Sequence, residues 1–312
     1  MNTTERNGRD RSMKKCLTIA MGLAFATAAV RGQDLPTYQG VVAGQSPMYY
    51  NQLDSSLAPS IGTGTFVPTA TGTGSTNDYF GNVNDAALFS NTTAQLALAA
   101  GNNIIANSGT SANSIGSLSL LFFTPNAVNA SSRYIFSDGD VSLSTNGQQF
   151  ALEQVSQGLT LKAGNKTITT PWTVTPGTWY YFAATWNFTG ANTSAFGINY
   201  YLGVAGQPTN TLLSQFTQRG GSGNISSVGL LGNGGTFTVS AIQSDASGGY
   251  NVAGVPGFVE GVASWTNQLT VAQIGNQMNA LILVPEPSTL LLCGFAFIGL
   301  CAGSRRRRSV KK

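Results

Sequence analysis

Short apolar segments separated by turn residues recur along most of this chain, and this pattern limits the fold more than any other property. Residues 117–123, 150–155 and 178–186 have the length and the alternating or continuous apolar character of strands. Asn146 and Gly147 are a strong signal for a tight hairpin, because both residue types tolerate positive φ. Strands at such short intervals predict an all-β jelly-roll sandwich rather than alternating strands and helices.

The segment that follows the last predicted strand carries the one helix that the sequence predicts. Thr270 and Gln273 form a capping box, and Val271 and Ile274 begin an apolar stripe at helical spacing. Residues 51–81, with their Thr-Gly repeats, predict instead a loop or a linker that is poor in strands.

The longest predicted strand has two different faces. Alternation places Trp179 and Tyr181 on one face and Tyr180 and Phe182 on the other. We therefore expect most of these aromatic residues to belong to a core on at least one side of a sheet. Trp179 and Trp265 in particular are expected to be buried.

The N-terminal end has the pattern of a secretory signal peptide, to which we assign residues 1–32. A basic stretch precedes an apolar stretch rich in Ala and Leu, and small residues follow it. A cut after Ala28 and a cut after Gly32 both fit, and the second releases a segment that is polar from its first residue. The residues before Met13 are either a long basic region or an over-extended gene start with Met13 as the initiator.

The C-terminal end, residues 284–312, combines a short polar motif, an apolar run at 289–303 and a cluster of arginines. The run is shorter than the roughly 20 residues that cross a bilayer comfortably, and the arginines would remain on the cytoplasmic side. The residues of the motif and of the cluster are Pro285, Glu286, Pro287, Arg305, Arg306, Arg307 and Arg308.

In this order the segment resembles the PEP-CTERM sorting signal of Gram-negative bacteria, which an exosortase-type membrane protease recognises and processes. The resemblance implies export, a membrane anchor formed by the apolar run as a transmembrane helix, and removal of the basic tail. A plain C-terminal tail anchor is the alternative.

The composition between the two signals excludes several classes of function. Residues 33–284 carry four basic and nine acidic side chains, a net charge of −5. No basic patch remains there for nucleic acid, since binding to phosphates needs several clustered Lys or Arg residues. All three cysteines (Cys16, Cys293 and Cys301) lie in the signal segments, so the stability of this region must come from its core rather than from disulfides.

Residues 38–55, then 150–161 with 177–186, and finally 257–270 form three motifs in the order of one known family. They resemble the opening strand, the central strands, and the closing strand with its terminal helix in bacterial laminin-G-like, concanavalin A-like domains. The resemblance implies one concanavalin A-like sandwich over residues 33–283.

Catalysis finds little support in the sequence. Glycosidases on concanavalin A-like folds use paired carboxylates close together on one strand, whereas Glu153 and Glu260 have no second acid within six residues. Val259 stands where the family often has a further acidic residue. The chain has no histidine, which removes Ser-His and Cys-His machinery, and Lys162 and Lys166 are expected to be solvated rather than to activate a serine.

Two candidate binding sites remain. Asp138 and Asp140 flank a glycine and are a candidate calcium site, although calcium prefers six to eight oxygens and an ordinary Asp-Gly turn fits as well. No other cofactor is predicted.

Trp172 follows a turn and is the aromatic residue least explained by a strand pattern, so it is a candidate platform for stacking a sugar, with core packing as the alternative.

The sequence therefore predicts an exported, non-catalytic β-sandwich of the cell envelope or extracellular matrix that binds an exopolysaccharide or other glycan, or acts structurally. Signal peptidase and an exosortase-type protease are its expected processing partners, the membrane holds it before processing, and nucleic acid is not a partner. A divergent glycoside-active enzyme on the same fold is the alternative.

Overall fold

The computed structural model describes residues 37–69, 71–98, 104, 115–125, 133–138, 150–163, 166–187, 197–207, 214–219, 237–240, 242–243, 250–251 and 254–282. Residues 37–282 form one compact unit. In this unit two antiparallel sheets of eight and seven strands share an apolar core, and two short helices cover the other side of the larger sheet. The predicted all-β sandwich with a short C-terminal helix is confirmed.

The larger sheet has the strand order β13-β12-β11-β6-β17-β4-β3, with β1 paired to β17 beside this path. Its strands are β1 (Tyr49–Asn51), β3 (Thr73–Thr76), β4 (Ala86–Phe89), β6 (Ile115–Thr124), β11 (Thr178–Asn187), β12 (Gly197–Val204), β13 (Ser214–Arg219) and β17 (Gly257–Trp265).

The smaller sheet has the strand order β10-β9-β8-β7-β14-β5-β2. Its strands are β2 (Phe66–Pro68), β5 (Leu96–Leu98), β7 (Arg133–Asp138), β8 (Phe150–Val155), β9 (Gly158–Ala163), β10 (Lys166–Thr173) and β14 (Thr238–Val239). A separate pair consists of β15 (Ile242–Gln243) and β16 (Tyr250–Asn251), and the helices are α1 (Tyr38–Gly44) and α2 (Val271–Ala280).

Alternation along β11 places its side chains in two different cores, as the sequence predicts. Tyr180 and Phe182 belong to the inner core between the sheets, where the ring centroid of Phe182 lies 5.8 Å from that of Phe136 on the smaller sheet. Tyr181 and Ala183 belong to the outer core under the helices. Burying each large apolar side chain contributes about 1.5–3 kcal/mol, so both faces of this sheet stabilise the fold.

The predicted helix α2 begins at the capping box that the sequence indicates. The Thr270 side chain accepts a hydrogen bond from the Gln273 backbone at 3.2 Å, and the Gln273 side chain accepts one from the Thr270 backbone at 2.9 Å. The helix buries Ile274 and Met278 against the larger sheet. Its apolar stripe therefore has the partner that an isolated helix of ten residues needs.

A buried polar network fixes both helices to the larger sheet. The Gln277 side-chain oxygen accepts hydrogen bonds from Tyr181 at 2.8 Å and from Ser119 at 3.0 Å. Its amide nitrogen donates to the Gln45 side chain at 2.7 Å, and the Trp265 indole donates to the Gln45 carbonyl at 3.1 Å. Because buried polar groups are costly unless paired, this network holds the helices in one position.

The structure corrects the predicted opening strand. Residues 38–44 form helix α1, and only Tyr49–Asn51 of the predicted segment is a strand. The Thr37 side chain caps α1 by accepting from the Gly40 backbone at 3.1 Å. Tyr38 and Val42 are buried against the outer core, so tertiary contacts rather than local pattern decide this element.

The predicted linker at 51–81 is also corrected, since it contains β2 and β3, which pair at the edges of the two sheets. Asp138, with which the predicted Asp-Gly turn begins, is the last residue of β7. The hairpin predicted at Asn146 and Gly147, the signal peptide at 1–32 and the apolar run at 289–303 lie outside the described residues. Within the described part of the chain, no helix has the length and apolar character needed to span a membrane.

Candidate functional site

Five partly exposed aromatic side chains lie together on the outer face of the larger sheet, and we call them the aromatic patch: Tyr79, Phe80, Phe123, Trp179 and Phe258. Phe123 and Phe258 stack with ring centroids 4.9 Å apart and planes at 4°. Trp179 lies 5.5 Å from Phe123 and 6.0 Å from Phe258. Tyr79 lies 6.2 Å from Trp179 and 5.0 Å from Phe80, so the rings form one continuous group.

Strand register brings three of these rings together. Phe123 of β6 is the direct partner of Trp179 on β11 and of Phe258 on β17. Directly opposed side chains share one face of a sheet, and their Cβ atoms are about 4.5–5.5 Å apart. Trp179 is thus only partly buried, which corrects the expectation that it is a core residue.

The loop at 77–85 supplies the other two rings and is closed by Asp78. The Asp78 carboxylate accepts hydrogen bonds from the Asn82 backbone and from the Asn82 side chain, both at 2.7 Å. The Tyr79 hydroxyl donates to the Leu281 carbonyl at 2.9 Å, and the Tyr79 backbone N–H donates to the Glu260 carboxyl at 3.0 Å. The loop is therefore tied to α2 and to β17 at the same time.

Glu260 is a buried acid beneath this loop, with 5% of its surface exposed. Burial raises its pKa to about 8; the Tyr79 N–H opposes this shift, and the nearby Asp78 and Asp85 charges add to it. Alternation along β17 from Phe258 places the Glu260 side chain on the outer face, and the register of β17 against β6 shifts after Glu260. Gly261 at this shift has φ 64°, a conformation that favours glycine.

Two further carboxylates lie beside the loop and are partly exposed. Asp85 ends the loop, and burial together with the charges of Asp78 and Asp54 raises the pKa of Asp85. The Ser55 N–H donates to the Asn84 carbonyl at 3.0 Å and so joins the segment that carries Asp54 to the end of the loop. The loop that carries Tyr79 and Phe80 is therefore bordered by acidic groups.

The predicted site residues lie elsewhere. Asp138 is fully buried in β7 and paired with Phe150, and Asp140 lies outside the described residues, so a calcium site there stays a prediction. Among the residues that the structure describes, no group of three or more acidic or cysteine side chains could hold a metal ion. Trp172 is 7% exposed and packs in the inner core, where it offers little of its ring to a ligand. The sorting-signal residues, Pro285 to Pro287 and Arg305 to Arg308, are outside the described residues.

The buried Glu153 and the partly exposed Lys162 form an ion pair on the smaller sheet. The Lys162 ammonium lies 2.8 Å from the Glu153 carboxylate and donates to the Tyr134 hydroxyl at 3.1 Å. Lys162 is thus engaged with an acid instead of being a free, solvated lysine. This pair joins β7, β8 and β9, and its contacts explain it as a structural element.

Comparison with known proteins supports the C-terminal sorting motif and the β-sandwich fold separately. Residues 283–308 match the family model described as the PEP-CTERM protein-sorting motif. No curated protein matches the chain.

Two solved structures of neurotoxin domains share the fold, and a third aligns less closely. The Botulinum neurotoxin serotype D binding domain aligns with TM-score 0.53 and 12% identity over 78% of this chain, and its ligand-binding domain in complex with N-acetylneuraminic acid aligns with TM-score 0.51 and 12% identity over 78%. This chain spans 53% of each of those chains. Domain 4 of the GH43 extracellular arabinanase AbnA from Geobacillus stearothermophilus, in complex with arabinotriose, aligns with TM-score 0.47 and 14% identity over 74% of this chain and 98% of that one.

Proposed function

We propose that this protein is an exported, non-catalytic β-sandwich that binds glycans through the aromatic patch, in the envelope or extracellular matrix of a Gram-negative bacterium. The patch is the observation that carries the proposal. Five aromatic side chains leave part of their surface to solvent in one group, while the other large aromatic side chains whose burial the structure describes, such as Trp186 and Phe182, are buried.

Exposed aromatic rings suit sugar recognition, because a ring face is apolar and flat while its position is fixed by few rotatable bonds. The patch is also held firmly. Three of its rings stand on paired strands, and hydrogen bonds at both ends of Tyr79 anchor the loop that carries the other two. A rigid platform loses little conformational freedom on binding.

The fold is compatible with this use, since the neurotoxin domain with the same fold is described in complex with N-acetylneuraminic acid. The match of residues 283–308 to the sorting motif supports export, anchoring in the membrane before processing, and recognition by an exosortase-type protease. We further propose that the sandwich is of the concanavalin A-like, laminin-G-like type that the sequence motifs resemble.

The absence of catalysis is part of the proposal. Both Asp78 oxygens accept hydrogen bonds from Asn82, and Glu260 is 5% exposed beneath the Tyr79 backbone. A pair of glycosidase carboxylates must instead reach the two sides of the scissile bond. The rival function, a divergent glycoside-active enzyme, would show as turnover of a polysaccharide that is lost in Glu260→Gln or Glu153→Gln.

Replacing Trp179 by alanine should weaken glycan binding by about tenfold or more, because the largest ring of the patch is removed. The measurement is a glycan array with the purified protein, followed by calorimetry on the glycans that bind. Trp179→Phe keeps an aromatic face and should retain most of the affinity. A protein that binds no glycan, or one that binds equally well in all three forms, would overturn the proposal.

The sorting proposal predicts that the mature protein lacks Arg305 to Arg308. Replacing Pro285 and Pro287 by alanine should prevent processing and leave the basic tail in place, since the motif would no longer be recognised. Intact mass spectrometry of the native protein from an exosortase-competent host gives the readout. A wild-type protein that keeps its full C-terminus in such a host contradicts the proposal.

A further inference from the structure

We infer that the aromatic patch prefers glycans that carry free amino groups and rejects glycans that carry carboxylates. This inference rests on the glycan-binding function proposed above and specifies its ligand by charge.

The first observation is the sign of the charges beside the patch. Asp78 directly precedes Tyr79, Asp85 ends the same loop, and Asp54 is joined to that loop through the bond from Ser55 to Asn84. The fourth carboxyl group belongs to Glu260, two residues from Phe258 on β17. All four are acidic, so the loop that carries Tyr79 and Phe80 is bordered by groups that are either negatively charged or neutral.

The second observation is which of these groups reach solvent and that Glu260 differs from the aspartates. Glu260 has a pKa of about 8 and is therefore mostly protonated at neutral pH, so it contributes little charge there. Asp54 and Asp85 are partly exposed, and one Asp54 oxygen accepts hydrogen bonds from the Ser56 backbone N–H at 2.9 Å and from the Ser56 hydroxyl at 2.6 Å. In this inference the aspartates of the loop and of the segment joined to it supply the field on a bound glycan.

The third observation is where the cations are. The two basic residues whose side chains the structure describes are Arg133 and Lys162, and both stand on the smaller sheet. Lys162 is already paired with Glu153 at 2.8 Å. Within this described set, the patch has no guanidinium or ammonium group to receive the carboxylate of an acidic sugar.

These observations select a positively charged ligand. A protonated amino group over the face of Trp179 or Tyr79 is attracted by the electrons of the ring. The neighbouring carboxylates add a Coulombic attraction for the same group. A uronic or sialic acid meets the opposite sign, and among the side chains that the structure describes no cation lies at the patch to pair with it, so its binding is opposed.

The test compares three oligosaccharides of equal length in calorimetry with the purified protein: a glucosamine hexamer, its N-acetylated form and a uronic-acid hexamer. The first two differ only in the charge of the amino group. At about pH 6, where amines are protonated and Glu260 is neutral, we expect the glucosamine hexamer to bind about tenfold tighter than its acetylated form. Salt at about 0.5 M should reduce this preference to a small factor.

The variant that tests the inference is Asp54→Asn combined with Asp85→Asn, because asparagine keeps the side-chain shape and hydrogen-bonding oxygen without the charge. We expect it to lose most of the preference for the amino form while its affinity for the acetylated form is kept. Asp34→Asn is the control, since it removes one charge at a position outside the compact unit of residues 37–282. Circular dichroism confirms that each variant is folded.

The outcomes separate this inference from the proposed function. Equal affinity for the charged and acetylated hexamers, both lost in Trp179→Ala, would leave glycan binding in place and overturn the charge preference. Tight binding of the uronic-acid hexamer would overturn it as well. If no hexamer binds while another glycan of the array does, this inference fails and the proposed function stands. If no glycan of the array binds, both fail.

Discussion

The protein is expected to lose roughly 4–5 kcal/mol of unfolding free energy as the pH rises from about 4.5 to about 8, through Glu260 alone. Burial raises the pKa of this carboxyl from 4.5 to about 8 in the folded protein. Between these values the folded state holds a proton that the unfolded state has released. The unfolded state therefore binds fewer protons, and stability falls by about 1.4 kcal/mol per pH unit.

The stabilisation that Glu260 gives the folded protein is fully present below its pKa in the unfolded state. It falls between the two pKa values and is lost above the pKa in the folded state. Urea unfolding at a series of pH values measures the slope directly. Glu260→Gln should remove this slope and be more stable than the wild type at alkaline pH, because an amide needs no proton to stay neutral. Glu153→Gln is the matched control, since it changes another buried acid and should leave the slope assigned to Glu260 in place. Identical pH profiles for wild type and Glu260→Gln would contradict the prediction.

Trp265→Ala should lower the unfolding free energy by about 3–5 kcal/mol through loss of buried surface and creation of a cavity. Trp265 is fully buried in the outer core, where it packs with α1, α2 and the larger sheet. Its indole also donates to the Gln45 carbonyl at 3.1 Å, and the truncation leaves that carbonyl without this donor. The helices should loosen together with the core beneath them.

Trp179→Ala is the natural comparison, because it removes the same side chain from a partly exposed position on the same face. Its cost in stability should be clearly smaller, whereas its effect on glycan binding should be larger. Chemical denaturation of both variants, followed by circular dichroism, measures the difference. Equal losses of stability at the two positions would show that the patch is a core element and not a binding surface.

The two faces of β11 could be predicted from the sequence, because a period of two leaves no freedom about which side chains share a face. The capping box of α2 could also be predicted, since its two hydrogen bonds depend on residues three positions apart. Helix α1 could not. Its seven residues have too little intrinsic stability to form alone, and burial of Tyr38 and Val42 against the outer core decides the outcome.

The aromatic patch was missed for a related reason. Tyr79 and Phe80 occur in a segment whose Gly, Asn and Thr content predicts only a loop, and strand register, which the sequence leaves open, brings Trp179 beside Phe258 through Phe123. The sequence signal that could have indicated the patch was the pair of aromatic residues, Tyr79 and Phe80, among turn residues beside Asp78. Glu260 has no acidic neighbour within six residues in the sequence, whereas the fold brings Asp78 and Asp85 close to it.

The central place of β17 has a consequence for the order in which the chain can fold. This strand pairs with β1, β4 and β6, yet it is the last strand of the described chain to be synthesised. Until residue 265 is available, the earlier strands lack the partner that completes their sheet, and the contacts that close it span most of the sequence. Such high contact order slows folding and delays it until synthesis is nearly finished. A chain threaded through a translocation channel would gain from this delay, because it remains extended while it crosses and closes into a sandwich only on the far side.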